Sequence, residues 1–174
     1  IDNADVFVTG SNARFLSKDI VTEFRGRGHE IRIAPLNFRE FRSVYQGPSE
    51  SEALRAYMLY GGLPQVVTTQ DVQTKVNYLT NVFNNTYLVD IRDRYCIKND
   101  AELDDLINIM ASSIGGLTNP TKLANTFRTV KHSNITPTTI KAYLSYLEDA
   151  FLIEKSMRYD IKGKRYIESP AKYY

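Results

Sequence analysis

Two dipeptides, Asn119-Pro120 and Thr136-Pro137, constrain the fold of this chain more than any other feature. A side-chain oxygen just before a helix accepts from the first free N–H groups. Proline suits the turn that follows, where its missing N–H costs nothing. Each dipeptide opens an amphipathic run. The first shows Leu123, Ala124, Phe127 and Val130, and the second shows Ile140, Tyr143, Leu144 and Leu147 at i, i+3, i+4, i+7 spacing. Ahead of them Leu103, Leu106, Ile107, Met110 and Ile114 predict another helix, closed by Gly115-Gly116. Behind them, residues 151–161 predict a strand, Lys162-Gly163-Lys164 a turn, and residues 165–167 a returning strand.

Three helices followed by a hairpin with a basic tip predict a winged helix-turn-helix over residues 100–174. Such a module places its third helix in a DNA groove and its wing on the backbone, or serves as a protein-packing surface. The face expected to make contact carries Thr138, Thr139, Lys141 and Ser145, with Lys122, Arg128, Lys131 and His132 nearby and Lys162, Lys164 and Arg165 at the wing tip. That set can hold phosphates, but the exposed face of the third helix lacks the Arg, Asn or Gln that reads base edges. Both DNA and protein therefore stand as partners.

Charge agrees with this division. Residues 1–119 hold 12 Lys and Arg against 15 Asp and Glu, and residues 120–174 hold 10 against 5, which together make the net +2 of the chain. A basic end suits a nucleic-acid partner or a solvated face. No apolar run nears the roughly 18 residues of a membrane span, so no membrane association is expected. A lone Cys96 fits a reducing, cytoplasmic setting, and with His29 and His132 far apart no zinc site is expected.

The front of the chain looks like a phosphate-binding turn. Residues 6–8 predict a strand that runs into Thr9-Gly10-Ser11-Asn12, with a helix after Ser17 and a second strand over residues 30–34. The glycines that let a backbone approach a pyrophosphate are missing, since those places hold Ala13 and Leu16. The Gly-x4-Gly-Lys-Ser/Thr cradle is missing as well, because Gly163-Lys164 is followed by Arg165. Asn37 predicts the cap of a short helix, residues 51–60 a helix ended by Gly61-Gly62-Leu63-Pro64, and residues 71–95 a long helix striped with Val76, Leu79, Phe83 and Tyr87.

The ordered series Val8-Thr9-Gly10-Ser11-Asn12-Ala13, Arg25-Gly26-Arg27, residues 35–41, Tyr60-Gly61-Gly62-Leu63-Pro64, residues 87–91, residues 119–124 and residues 146–153 resembles the later part of an AAA+-type prokaryotic ATPase, of the archaeal-type and uncharacterised family with a C-terminal winged helix. The resemblance implies an α+β, mainly helical chain: the end of the nucleotide domain over residues 1–45, a helical lid over 46–99 and the winged helix over 100–174. It implies a fragment of a longer protein, lacking Walker A and Walker B. It makes Thr9, Ser11 and Asn12 the sensor-1 end that orients water at the γ-phosphate, and Arg27, then Arg25, the guanidinium on that phosphate, in its own subunit or in a neighbour of a homo-oligomer. ATP and Mg would belong to the parent protein, and the fragment would not hydrolyse ATP by itself. A winged-helix transcriptional regulator and a protein-interaction adaptor are the alternative readings.

Overall fold

The computed structural model describes Phe7, Ile31 and residues 33–97, 99–159 and 169–174. The strand expected over residues 6–8, the helix after Ser17 and the returning strand over 165–167 lie outside the described residues, as do Lys162, Lys164 and Arg165. Of the second expected strand, Ile31, Ile33 and Ala34 are described and lie in no strand, and the side chains of Ile31 and Ile33 are exposed. The chain divides into two compact units, Gly26–Asp90 and a second that carries Ile91–Tyr174. The described residues are mainly helical, with a small three-stranded sheet.

In Gly26–Asp90, α1 (Phe38–Val44) begins with a reciprocal capping box. Asn37 Oδ1 accepts from Glu40 N–H at 3.0 Å, and Glu40 Oε2 accepts from Asn37 N–H at 2.9 Å. Ser49 caps α2 (Glu50–Tyr60), which ends at Gly61. Pro64 opens α3 (Pro64–Thr68), and Asp71 caps α4 (Val72–Asn81). The core is aromatic, with Phe41 edge-on to Tyr57 and stacked on Tyr45, both at 5.3 Å between ring centres. Ala53, Val66 and Leu88 are buried in the same unit.

The long helix expected over residues 71–95 is interrupted. After α4 the backbone widens into a π-helical segment, Val82–Leu88, and then returns to α-helix in α5 (Val89–Tyr95). Such segments form where side-chain packing outweighs the tighter i→i−4 ladder. Of the expected stripe, Val76 is exposed while Leu79 and Phe83 are half-buried.

In the unit carrying Ile91–Tyr174 the order is helix, strand, helix, helix, strand, strand: α6 (Asp100–Ser112), β1 (Leu117–Thr118), α7 (Pro120–Thr126), α8 (Pro137–Asp149), β2 (Lys155–Ser156) and β3 (Ala171–Tyr173). A second π-helical segment, Phe127–Lys131, extends α7. β3 lies between its neighbours in the antiparallel order β1-β3-β2, with Leu117 opposite Lys172, and Ser156 opposite Lys172 on the other side. Leu103, Leu106 and Met110 of α6 and Ile140, Leu144 and Leu147 of α8 are buried, as are Leu123 and Phe127 between the two proline starts.

Three expectations need correction here. The α6 stripe stops at Met110: α6 ends at Ser112, and Ile114 is exposed in the turn that follows. Val130 is 67% exposed, because the π-helical segment changes the angular step per residue and turns it off the buried stripe. Of the strand expected over 151–161, residues 151–159 are described, and among them only Lys155–Ser156 is strand. Phe151 takes φ +58°, its N–H bonds back to Glu148 O at 3.1 Å, and Leu152 N–H bonds to Leu147 O at 3.0 Å. The α8 terminus therefore consumes the donors that a strand would have offered.

Candidate nucleic-acid or partner interface

The turn between α7 and α8 is built from its caps. Asn119 Oδ1 accepts from Lys122 N–H at 2.8 Å, and Thr136 Oγ1 accepts from Thr139 N–H at 3.2 Å. Between the helices, His132 takes the left-handed φ +52° and closes the π-helical segment. Ser133 Oγ donates to Glu102 and accepts from Ile135 N–H, so α6 holds the turn. Lys131 Nζ reaches Asp105 at 2.8 Å across the same gap.

This scaffold presents Thr138, Lys141 and Ser145 on the exposed face of α8, with Ile140, Tyr143, Leu144 and Leu147 on the other. Thr139 does not belong with the exposed three. It is half-buried, and its hydroxyl lies 2.9 Å from that of Thr136 inside the cap. Lys122 is exposed, and its ammonium donates to Leu117 O at 3.2 Å. Lys131 is committed to Asp105, whereas Arg128 and Lys141 are exposed and pair with no carboxylate among the described residues. Thr9, Ser11, Asn12, Arg25 and Arg27 lie outside the described residues, so no geometry is assigned to them.

Charge on this unit is sorted. Asp104 accepts from Arg92 through both oxygens, at 2.9 and 3.1 Å, and Asp100 lies 3.4 Å from the same guanidinium. Arg92 and Lys131 thereby offset part of the α6 carboxylate charge. Behind α8, Tyr95 stacks on Tyr146 at 3.4 Å and 12°, and its hydroxyl donates to Asp149 at 3.3 Å. Burial, and then the Asp149 carboxylate, push the Tyr95 phenol up to about 12. Burial, and then Glu148, do the same to Tyr173 in β3, also to about 12. Burial raises Tyr143 as well, with Glu102 the next cause.

Sequence reasoning missed Lys155, Arg158 and Lys172, all exposed. The inward–outward alternation of Ala171-Lys172-Tyr173 was the signal for Lys172. Among the described residues no group of three His, Cys, Asp or Glu could hold a metal, and no helix is long and apolar enough to cross a membrane.

Residues 1–42 match an AAA domain, which points to an ATPase-like origin for the front of the chain. An uncharacterized protein of Haemophilus influenzae is 39% identical over 99% of this chain and 44% of its own length. An uncharacterized protein of Methanocaldococcus jannaschii is 29% identical over 92% of this chain and 38% of its own length. The chain thus spans less than half the length of these curated relatives. No solved structure matches it. Residues 51–174, which hold α2 through β3, match a domain of unknown function, DUF8612, and the chain belongs to that family.

Proposed function

We propose that this chain carries the last part of an AAA-type nucleotide domain joined to a winged-helix contact module, and that it serves a parent protein that binds and hydrolyses ATP. The observation that carries the reading is the AAA-domain match over residues 1–42, immediately ahead of the family domain that begins at residue 51. The chain lacks a phosphate cradle of its own, so its residues suit sensing a nucleotide held elsewhere. In this reading Thr9, Ser11 and Asn12 orient the attacking water, while Arg27, with Arg25 behind it, stabilises charge on the γ-phosphate. ATP and Mg belong to the parent, and the chain alone is not catalytic.

The winged-helix part of the proposal is supported by the helix-strand-helix-helix-strand-strand order and the β1-β3-β2 sheet. Thr138, Lys141 and Ser145, with Lys122 and the wing residues Lys162, Lys164 and Arg165, make contact with DNA or a protein. ATP turnover by the full-length parent tests the nucleotide half. Asn12→Ala and Arg27→Ala should each lower kcat by at least about tenfold while leaving ATP binding in place. A parent that binds no ATP, or variants with unchanged turnover, would overturn it.

A further inference from the structure

We propose that the outer face of α2, built from Leu54, Met58 and Leu59 around Arg55, is the docking surface for the phosphate-binding part of the parent's AAA-type domain. The inference rests on the ATPase reading above and adds the place where the two parts meet. α2 packs inward through Ala53, which is fully buried, and through Tyr57, whose ring meets Phe41. At about 100° per residue, Ser51, Leu54, Arg55, Met58 and Leu59 fall on the opposite side, and all are exposed. A helix face turned to solvent is normally charged or polar. Here the last five residues, Ala56-Tyr57-Met58-Leu59-Tyr60, carry no charge, and Met58 and Leu59 are 78% and 67% exposed. A helix that is apolar all round belongs in an interior. Beside Leu59, an open groove of about 230 Å³, lined also by Tyr45, Arg55 and Tyr60, has room for a side chain.

Three observations choose the occupant. The first is continuity. Residues 1–42 match an AAA domain, and α1 starts inside that match. α2 is tied to the same segment: Leu36 N–H donates to Gly62 O at 2.7 Å, and Tyr57 Oη donates to Leu36 O at 3.0 Å. A helix with its side chains is about 10 Å across, so the outer face of α2 lies about one helix width from that segment. The second is length. The match to residues 1–42 falls short of the roughly 100–150 residues of a domain, and the chain spans 44% and 38% of its two relatives. The third is charge. Arg55 lies in the middle of the face and pairs with no carboxylate among the described residues. Two copies joined through this face about a two-fold axis would set Arg55 against its own mate, and like charges there are costly. The partner is therefore a different surface, apolar and carrying an acceptor for the guanidinium.

Photocross-linking in the full-length parent tests this. With p-benzoylphenylalanine in place of Met58, mass spectrometry should find cross-links, within one polypeptide, to the region that carries the phosphate cradle. Cross-links between two polypeptides, cross-links to any other part of the parent, or none at all would overturn the proposal. Met58→Asp and Leu59→Asp should each lower the melting temperature of the parent by several degrees and leave that of the 174-residue chain unchanged. Damage to α2 itself cannot produce that difference, because it would lower both. Equal shifts in the two proteins would place the effect inside the chain and refute the docking. ATP binding by the parent is read separately. A parent that binds no ATP yet gives the expected cross-link loses the nucleotide reading and keeps the docking. A parent that turns over ATP without that cross-link loses the docking alone.

Discussion

Gly61 and Gly62 meet two different physical demands, and alanine substitutions separate them. Gly61 ends α2 at φ +75°, ψ −170°, a region open in practice only to glycine, although an added Cβ would meet nothing within 4 Å. Gly61→Ala therefore costs backbone strain alone, about 1–3 kcal/mol. At Gly62 the demand is space, because an added Cβ would fall 2.0 Å from Leu36 O and 3.0 Å from its carbonyl carbon. Those are backbone atoms, so the 35–36 segment must move away. Movement breaks the bond from Leu36 N–H to Gly62 O, now 2.7 Å, and strains the bond from Tyr57 Oη to Leu36 O, now 3.0 Å. Two hydrogen bonds at about 1 kcal/mol each and overpacking of about 1–3 kcal/mol bring Gly62→Ala to about 4 kcal/mol. Urea unfolding of both variants, followed by far-UV circular dichroism, gives the two values. Tyr57→Phe, which deletes only the hydroxyl, should cost about 1 kcal/mol on the same scale. A Gly62→Ala loss below about 1 kcal/mol, or one smaller than that of Gly61→Ala, would refute the close-approach argument.

Phe127 is fully buried where α7 passes into the π-helical segment, so Phe127→Ala should destabilise by about 3–5 kcal/mol in a thermal melt. Thr136→Ala removes the α8 cap and should cost about 1 kcal/mol in the same assay. Alkaline titration probes Tyr95 and Tyr173, both raised to about 12 from an ordinary 10. The fold favours their neutral phenols, so this stabilisation is complete below pH 10 and is lost as the pH rises from 10 through about 12. Absorbance at 295 nm should show late-titrating tyrosines among the 12 of the chain, one fewer in Tyr95→Phe, and a native protein whose tyrosines all ionise near pH 10 would contradict this.

Much of this fold is legible locally. The caps at Asn37, Asn119 and Thr136 and the prolines after the last two act within one helical turn, so a short window of sequence contains their whole cause. The buried stripes of α6 and α8 are legible for the same reason. What escapes is decided by backbone geometry that periodicity does not report. Val130 reads as core until the π-helical segment changes the angular step, and residues 151–153 read as strand until the α8 terminus takes their N–H groups. On α8 the exposure of Thr138, Lys141 and Ser145 follows from helical spacing, whereas the hydroxyl of Thr139 belongs to a cap whose geometry no periodicity reports. Ile31 and Ile33 alternate like a strand, yet alternation only qualifies a segment for pairing, and among the described residues neither lies in a strand.

The strand β3 carries this argument furthest. The strand that joins β1 and β2 is Ala171-Lys172-Tyr173, whose composition is weakly β-forming at its first two positions. Its pairing is favoured by what it buries. Ala171 and Tyr173 both fall to 5% exposure, and burial of an aromatic ring outweighs a propensity scale that spans only about 1 kcal/mol. Gly115 completes the fit: its φ of +71° turns its N–H onto Tyr173 O at 2.8 Å, and an added Cβ there would press on the Tyr174 ring at 3.2 Å. The same docking puts Lys172 outward, opposite Leu117, where the ammonium of Lys122 already rests. The outward position of Lys172 is thus a by-product of burying Tyr173. It exists only while β3 is docked, and it brings together residues 117, 156 and 172, which no local reading of the sequence would group.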